Sequence, residues 1–432
     1  MLRPITAALL LSSIETVAFA DPCAGPLGPT DVVRYALGQS PEIQIARAEV
    51  SALDGRRTTA RTVLPSNPVL SFTAAGRRPA AAESAVDRTF FNWYVTLSQE
   101  VEIGGQRGAR IAVADAGVEA AARRLVVARQ EVAAVALSAY FEVVATGEAV
   151  RLAEEVDRVA MTLSDLAEAR LREALTSPVD ADLARAEAVR IHLLRFEVER
   201  RHASALVLLA VLLGRDATSP IEVVGTLDPT ALAPGESLAE APLVEKALAL
   251  RGEVGAAQME HTVAERRVVL LRRQRVPNPT FSVFAQRDGL DESVFGGGVS
   301  LPIPLPSPIG QTRAGEIAEA AARVEQERYT VERVRRQVRS EVARAWADQL
   351  ARAAAIHAIP PDFIQRVRTD LGALADGITS RQLSVREALV AQRALLEALQ
   401  AALDARLGFA RAWVELRRAA GLPLPGVLGA RP

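Results

Sequence analysis

The sequence of 432 residues contains a single cysteine, Cys23, and a single lysine, Lys246. One cysteine excludes an intramolecular disulfide framework and any metal or iron–sulfur site that needs several thiolates. Basic and acidic residues balance at 51 against 52, so the surplus of positive charge that a general nucleic-acid binder needs is missing. Aromatic residues make up only 4% of the chain. The 49% apolar share is therefore mostly Ala, Leu and Val, which is typical of long helices that pack on one another.

Side chains that could bind a metal or catalyse a reaction are few and scattered. The four histidines, His192, His202, His261 and His357, do not show the spacing of metal ligands. Three methionines, including Met1, are too few for a methionine-rich copper relay. The sequence contains no evident pairing of a nucleophile with a base. We therefore predict a protein without enzymatic activity, without a resident metal and without a cofactor.

The N-terminus predicts export. Residues 1–20 contain a basic Arg3, a short apolar stretch and the small-x-small sequence Ala18–Ala20, which together predict a signal peptide, although Glu15 is unusual in one. The alternative is a buried N-terminal helix. Cys23 suggests a lipoprotein anchor, but the residues before it form a poor lipobox, which favours a free thiol. After residue 20 the longest uncharged apolar run, Ala203–Gly214, is too short for a helix to cross a bilayer. Any membrane-spanning part of the mature chain should then be β.

The strongest feature that is present is an internal duplication. Leu64–Phe72, LPSNPVLSF, recurs as Val276–Val283, VPNPTFSV. A heptad series of apolar residues follows each copy, and the second lies 206 residues after the first: Ile111, Val118, Leu125, Val132 and Ala139, then Ile317, Val324, Val331, Val338 and Ala345. Two such series in register at one offset are improbable in unrelated sequence. We predict two structural repeats, 21–214 and 241–422, with a linker over 215–240 and a tail over 423–432.

Each repeat should contain a helical hairpin. No proline interrupts Arg107–Arg170, which predicts a helix about 95 Å long at 1.5 Å per residue. The equivalent helix of the second repeat should break or kink at Pro360–Pro361. We expect the first turn near Leu175–Pro178, with Ser177 as the N-cap, and the second near Asp376–Ser380. Helices of this length form a tube, rod or bundle.

Two strands are expected in each repeat. Phe91–Ser98 alternates apolar and polar residues, and its expected partner is Val69–Ala74. Thr280–Gln286 and Val294–Leu301 form a similar pair in the second repeat. The alternation fits either a small soluble sheet resting on the helices or a bilayer-spanning β-barrel, and it favours the barrel. Because open strand edges are not tolerated in lipid, spanning strands would require several chains to share one barrel.

The ordered set of these features resembles the outer-membrane factor family of tripartite efflux pumps and type I secretion systems, the TolC-like channels. The resemblance covers the chain from about residue 31 to residue 422. It is carried by the duplicated strand starts, the strand-to-helix joint, its counterpart and the two hairpin tips: Leu64–Phe72, Val276–Val283, Ser98–Arg107, Val299–Pro304, Asp182–Glu187 and Glu387–Gln392. The Gly-Gly-Gln-Arg sequence of the joint is most similar to the heavy-metal, cobalt–zinc–cadmium branch.

This resemblance implies a mainly α fold with a small β part. Three chains would share a twelve-stranded barrel in the outer membrane, and a long α-helical barrel would extend into the periplasm. The implied function is that of an outer-membrane channel. It would conduct passively what an inner-membrane pump of the RND or ABC type hands over through a periplasmic adaptor.

The resemblance also implies an acidic constriction at the periplasmic tip, with Asp182 and Glu387 as the matching positions. A three-fold ring of like carboxylates would repel anions, attract cations and could raise their pKa. Val390 stands where some relatives carry a second acid, and Asp180 is the candidate to replace it. Each of these acids could also be an ordinary residue on a solvated helix face.

Further site candidates lie at the tip and in the strands. Arg381 and Arg386 are candidates for ion pairs between helices that hold the tip shut, although they too could be simply solvated. Phe91, Trp93 and Tyr94 are the expected membrane-facing aromatics, with burial of Trp93 under a helix as the alternative.

Two consecutive glycines lie at the strand-to-helix joint. Gly104 and Gly105 resemble a phosphate-binding loop, but no Gly-Lys-Ser/Thr follows, so a sharp strand-to-helix turn is expected.

The outer-membrane component of a type I protein secretion system remains an alternative function. A periplasmic coiled-coil adaptor or scaffold is another, although it would need neither the duplicated strands nor their alternating aromatics.

Overall fold

The computed structural model describes residues 25–77, 90–228, 239–287, 292–305, 308–310 and 312–427. The predicted signal peptide and Cys23 lie outside the described residues. Residues 229–238 of the predicted linker and 428–432 of the tail lie outside them as well.

The first half of the chain ends in a very long helical hairpin. Its elements are α1 Pro29–Gln39, α2 Pro41–Ala60, β1 Val69–Arg77, β2 Phe90–Glu100, α3 Gln106–Arg172 and α4 Pro178–Leu212. Helix α3 has 67 residues and is therefore about 100 Å long, which confirms the length predicted from the absence of proline. As predicted, Ser177 caps α4 by accepting a hydrogen bond from the Asp180 backbone N–H, and Pro178 follows it in the first turn.

The second half has a similar order, but its long helix is interrupted. Its elements are α5 Glu240–Leu250, α6 Gly252–Arg273, β3 Thr280–Arg287, β4 Ser293–Ser300, α7 Ala314–His357, α8 Phe363–Thr379 and α9 Val385–Ala419. The break between α7 and α8 contains Pro360–Pro361, as predicted. The position predicted for the second turn was wrong: Asp376 and Gly377 lie inside α8, and the turn begins at Ser380. Nothing in Asp376–Thr379 prevents the last helical turn from forming.

The four strands form one antiparallel sheet in the order β1-β2-β3-β4. Pairing of Leu70 with Leu97 and of Leu97 with Val283 places these side chains on one face. The opposite face carries mainly polar residues, for example Ser71, Thr96 and Ser98. Because side chains alternate along a strand, one face of the sheet is apolar and the other mainly polar. Large apolar residues of the apolar face are exposed, with Leu70 at 70% and Phe295 at 78%.

Small residues fill the helix interfaces. Helix α3 packs on α2, α4 and α6, and α9 packs on α3 and α7. One core cluster surrounds Tyr140, Phe141 and Trp413, and much of its contribution from α3 is alanine. A second core cluster joins α3, α4, α8 and α9 near their turns. Alanine lets the helix axes approach closely, so the Ala-rich composition is used where helices touch.

Within the part of the chain that the structure describes, one helix, α3, contains an 18-residue stretch that is apolar enough to cross a bilayer. The longest uncharged apolar run in the sequence did not reveal this stretch, because a membrane span can tolerate a few charged residues. Half of the stretch is buried inside the protein, as in the core helix of a helical assembly. This burial is consistent with the packing of α3 on three other helices.

Candidate functional site

The two hairpin turns have the same backbone geometry, 207 residues apart. After α3, Ala174 adopts a left-handed conformation with φ of 57°, and after α8 Arg381 does so with φ of 61°. The N–H of Ala174 bonds to the Leu171 carbonyl at 3.0 Å, and the N–H of Arg381 bonds to the Ile378 carbonyl at 3.0 Å. A serine N-cap then starts the next helix in both cases, Ser177 for α4 and Ser384 for α9.

Each serine cap is followed three residues later by an acid that belongs to the cap. Ser177 Oγ donates to Asp180 at 2.7 Å and accepts from the Asp180 N–H at 3.1 Å. The Ser384 N–H and Oγ each donate to Glu387 Oε2 at 2.8 Å. The hydrogen bond from Ser177, with a second from Arg386, lowers the pKa of Asp180. The backbone and side-chain hydrogen bonds from Ser384 lower the pKa of Glu387.

This geometry makes Asp180 the structural counterpart of Glu387. The family pattern instead selects Asp182, two residues further along α4, together with Glu387. Asp182 is exposed on α4, beyond the first turn that the capping bonds occupy. The N-cap fixes which acid is the third residue of its helix. A match on the sequence pattern alone can be displaced by two residues because it does not include the cap.

Two ion pairs join α4 to α9 near the turns. Arg386 Nη2 lies 2.9 Å from Asp180 Oδ1, and Arg393 Nη2 lies 2.8 Å from Glu187 Oε2. Glu187 has only 6% of its side chain exposed and also binds Arg190. Hydrogen bonds from Arg190, and then from Arg393, lower the pKa of Glu187 despite its burial.

The sequence predicts Asp180 and Arg386 at the tip, whereas the pair of Glu187 with Arg393 was not predicted. The sequence nevertheless contains a signal for this second ion pair. The two acids on α4 are seven residues apart, and the two arginines on α9 are seven residues apart as well. Opposite charges at a shared heptad spacing are typical of neighbouring helices in a coiled coil.

Arg381 does not form the expected ion pair. Its side chain is exposed and makes no ion pair with any residue in the described ranges. A different arginine bridges the hairpins at this level: Arg170 Nη2 of α3 donates to the Ile378 carbonyl of α8 at 2.6 Å. Arg381 occupies the left-handed position of the turn.

The three aromatic residues of β2 that are expected to face the membrane are divided between the two faces of the sheet. Phe91 is 65% exposed and lies on the apolar face together with Trp93. Tyr94 lies on the opposite face, where its ring is 5.5 Å from that of Phe284. Grouping Tyr94 with Phe91 and Trp93 as membrane-facing was therefore wrong, because successive residues of a strand point to opposite faces.

Phe284 is an aromatic of the polar face that sequence reasoning missed. Its ring covers Gly296 on the neighbouring strand, and a Cβ atom at that glycine would lie 2.4 Å from the ring. A run of three glycines, Gly296–Gly298, in the expected strand was the signal that a bulky neighbour needs this space.

The strand-to-helix joint depends on two glycines for different reasons. Gly105 has φ of +73° and precedes α3, so it supplies the predicted sharp turn. A Cβ atom on Gly104 would lie 2.7 Å from Val276 Cβ and 3.1 Å from the Arg273 carbonyl oxygen. Gly104 is therefore required by close contact between the two halves of the chain.

A buried amide next to these glycines links the two halves. Gln106 is 2% exposed and donates to the Val276 carbonyl at 3.0 Å and to Asn278 Oδ1 at 2.8 Å. Asn278 in turn donates to Glu100 Oε1 at 2.7 Å. These contacts join the end of β2, the start of α3 and the start of β3.

Among the described residues, no three His, Cys, Asp or Glu side chains converge as metal ligands. His192 Nδ1 lies 3.1 Å from the carboxylate of the buried Asp157, and Arg195 forms an ion pair with the same carboxylate at 3.0 Å. These charges connect α3 to α4 and serve helix packing.

Comparison with known proteins gives a family match over both halves. The model of a family described as outer membrane efflux protein matches residues 32–215 and 243–422. The cobalt-zinc-cadmium resistance protein CzcC of Cupriavidus metallidurans is 27% identical over 288 residues, which cover 66% of this chain and 65% of CzcC. Protein CyaE of Bordetella pertussis is 28% identical over 343 residues, which cover 76% of this chain and 71% of CyaE.

The same fold occurs in solved structures. The CmeC outer membrane channel of Campylobacter jejuni superposes with a TM-score of 0.74 at 15% identity, over 91% of this chain and 85% of CmeC. The likeness concerns the fold: long helical hairpins with a small sheet at one end.

Proposed function

The chain belongs to the outer membrane efflux protein family, and from this premise we propose that it is the outer-membrane channel of a tripartite efflux system. It makes and breaks no covalent bond. It provides a water-filled path from the periplasm across the outer membrane for substrates that an inner-membrane pump delivers through a periplasmic adaptor. Its localisation is the outer membrane, with the helices extending into the periplasm.

The observation that carries this proposal is the sheet. Its apolar face is exposed in the protomer, its other face is mainly polar, and β1 and β4 are open edges. In lipid every backbone group needs a partner, so the edges must pair with strands of other chains. A trimer sharing twelve strands satisfies this requirement, with Phe91 and Trp93 toward lipid and Tyr94 and Phe284 toward the lumen.

We further propose that the protomer consists of two copies of one unit, 21–214 and 241–422, joined by the segment 215–240. The equal hydrogen bonding of the two hairpin turns, 207 residues apart, supports this division. The break at residues 358–362 accounts for the change of offset from 206 in the long helices to 207 at the turns. The two copies give one protomer two hairpins, and three protomers supply enough hairpins to close a helical tube.

The tip carries both a proposed clamp and a proposed constriction. The ion pairs of Asp180 with Arg386 and of Glu187 with Arg393 connect α4 to α9, and separating these helices to widen the pore breaks both pairs. Asp182 and Glu387 are exposed, and three-fold symmetry would repeat them around the pore as acidic rings that attract cations. Arg381 takes no part in the clamp.

For the cargo we propose divalent heavy-metal cations. These are the metals in the name of the similar cobalt-zinc-cadmium resistance protein CzcC. Exposed carboxylates at the tip attract cations. A permanent metal-binding site is not required, because a passive channel only lets its substrate pass. The experiment is to delete the gene and measure growth in cobalt, zinc and cadmium, then to restore the wild-type chain or the Asp182→Asn/Glu387→Gln variant. Unchanged metal tolerance after deletion would exclude this cargo.

The channel function itself is tested separately. The protein should remain in the membrane fraction until detergent is added, and the purified protein should give discrete conductance steps in a planar bilayer. Recovery in the soluble periplasmic fraction without detergent would instead indicate the coiled-coil scaffold.

A further inference from the structure

The two halves of the chain have equivalent elements at a constant spacing. Helices α5 and α6 begin 211 residues after α1 and α2, and β3 begins 211 residues after β1. The residues before the two strands agree with this spacing, because Pro68 precedes β1 as Pro279 precedes β3. Each helical position before β1 therefore has an equivalent in the second half, and the surroundings of the two can be compared.

Within one chain the two halves meet where α6 packs on α3. A Cβ atom on Gly252 would lie 2.8 Å from Val127 Cγ2, and Arg266 Nη1 donates to the Ala112 carbonyl at 2.8 Å. These contacts lie on one side of α6, which we call the α6 row. Its members are spaced three or four residues apart and are all buried or half-buried: Gly252, Ala256, Met259, Val263 and Arg266. The α6 row is thus covered by the other half of the same chain.

The equivalent side of α2 has no such cover. This α2 row lies 211 residues earlier, and all its members are exposed: Pro41, Ile45, Ala48, Ala52 and Gly55. Ile45 is 69% exposed, whereas Ala256 at the equivalent position is 8% exposed. Helix α2 packs on α3 through its opposite side, where Ile43 and Ala60 are buried. The α2 row is therefore an apolar surface of mostly small residues that no helix covers in the described part of the chain.

Helix α7 differs from α3 in the complementary way. Ala116 and Ala120 of α3, which lie between its two contacts with α6, are 1% and 0% exposed. Their equivalents 206 residues later in α7, Ala322 and Gln326, are exposed. Within the described residues α2 does not pack on α7. The first half thus exposes on α2, and the second half on α7, the surfaces that their equivalents use inside the protomer.

Strand pairing between the halves supplies a register for the missing contact. In the protomer Leu97 of β2 pairs with Val283 of β3. The two hairpins are paired alike, through Val69 with Ser98 in the first and Thr280 with Ser300 in the second. The pairs of one hairpin can therefore be transferred to the other, position by position.

This alignment predicts which residues of the two sheet edges meet. Val299 of β4 is the equivalent of Leu97, and Phe72 of β1 is the equivalent of Val283. Copying their pairing places Val299 opposite Phe72 of another chain. Both residues lie on the apolar face, and each is 66% exposed. A slip of one residue would set Phe72 against a residue of the polar face.

We propose that neighbouring chains of the channel meet in the way that the two halves of one chain meet. Strand β4 pairs with β1 of the next chain, with Val299 opposite Phe72, and α7 packs on the α2 row of that same chain. The order of elements agrees, since α7 follows β4 and α2 precedes β1 just as α3 follows β2 and α6 precedes β3. The inference rests on the proposed function, because the edges of the sheet require a second chain only in lipid.

Disulfide formation tests the register. In F72C/V299C the two thiols of one chain lie on strands three spacings of about 4.8 Å apart, too far for a bond. The next chain brings the thiols directly opposite each other, so oxidation of the membranes should link three chains on a non-reducing gel. The matched control is F72C/F295C, because Phe295 is on the same face of β4 and 78% exposed. It lies four residues, about 13 Å, from Val299. We expect at least about tenfold less linked trimer in this control, and wild type shows the contribution of Cys23.

A charge in the α2 row tests the helix contact independently. Ile45→Arg places a guanidinium group where the equivalent Ala256 is buried, and burial of an unpaired charge is costly. Native mass spectrometry in detergent should show the trimer dissociating at a protein concentration at least about tenfold higher than that of wild type. Thr58→Arg is the matched control, because it adds the same charge to an exposed position of α2 whose equivalent, Val269, is also exposed. It should leave the trimer intact.

Three results would overturn the inference. They are linkage through F72C/F295C in place of F72C/V299C, absence of linkage in both, and equal trimer stability of Ile45→Arg and Thr58→Arg. The disulfide pair adds no charge and covers the case in which Ile45→Arg does not fold. Bilayer conductance of wild type separates the two proposals: conducting channels together with any of these results refute only this inference, and an absence of channels refutes the proposed function.

Discussion

Arg386 of α9 donates two hydrogen bonds to Asp180 of α4, from Nη2 at 2.9 Å and from Nε at 3.3 Å. Seven residues further along both helices, Arg393 and Glu187 repeat the contact at 2.8 Å. The two pairs lie two helical turns apart and act on the same pair of helices. Any motion that separates α4 from α9 at the tip must break them in turn.

The first prediction concerns this clamp. The double variant Arg386→Ala/Arg393→Ala should raise the resting conductance of single channels in a planar bilayer, because α4 and α9 lose both ionic links. Each single variant should have a smaller effect. Arg381→Ala is the matched control, since it removes an exposed arginine of the same tip that has no acidic partner among the described residues. If the control leaks as much as the double variant, loss of tip charge and not of the clamp is responsible.

The second prediction concerns pH. The pKa values of Asp180 and Glu187 lie below their ordinary values of 3.8 and 4.5. A depressed carboxyl pKa contributes stability above the unfolded value, and this is lost only as the pH falls through the folded value. Resting conductance should therefore stay constant from neutral pH down to about 5 and rise only in stronger acid. A rise that is complete by pH 6 would contradict a clamp made of these carboxylates.

The third prediction concerns the joint. Gly104→Ala places a Cβ atom 2.7 Å from Val276 Cβ, and overpacking of this kind costs about 1–3 kcal/mol. Gly108→Ala is the matched control, because Gly108 lies two residues into the same helix start with no atom within 4 Å of the added Cβ. Thermal unfolding in detergent, followed by circular dichroism, should show a lower midpoint for Gly104→Ala and an equal or higher midpoint for Gly108→Ala.

The fourth prediction concerns the core of the first hairpin. Tyr140 is 2% exposed, and its hydroxyl donates to the Val224 carbonyl at 2.8 Å. Tyr140→Phe leaves that carbonyl without its donor and should destabilise the fold by about 1–3 kcal/mol. Tyr329→Phe, at a 59% exposed position, should change stability little because the hydroxyl there is not buried. Denaturant unfolding of both variants distinguishes the two results, and equal midpoints would mean that the bond to Val224 contributes nothing.

Local sequence signals predicted most of the elements but not how they come together. The 67-residue α3, the Ser177 cap and the break at Pro360–Pro361 follow from propensity, capping and proline chemistry within a few residues of each position. The alternation in β2 likewise predicted a strand with one apolar face. The placement of Tyr94 with Phe91 and Trp93 failed because residue type was given more weight than strand period. The family pattern selects Asp182 and Glu387, whereas the serine caps make Asp180 the structural counterpart of Glu387, because the cap sets the position of an acid in its helix.

What the sequence by itself determined is the composition, the repeat and the family resemblance, because each is written in consecutive residues. Only the tertiary structure decided which charges meet. Arg386 reaches Asp180, and not Asp182, because the serine cap and the packing of α4 on α9 place one carboxylate within hydrogen-bonding distance. Gln106 likewise meets Asn278 across 172 positions of chain. Such contacts depend on distances in space between segments far apart in sequence, and local propensity carries no information about them.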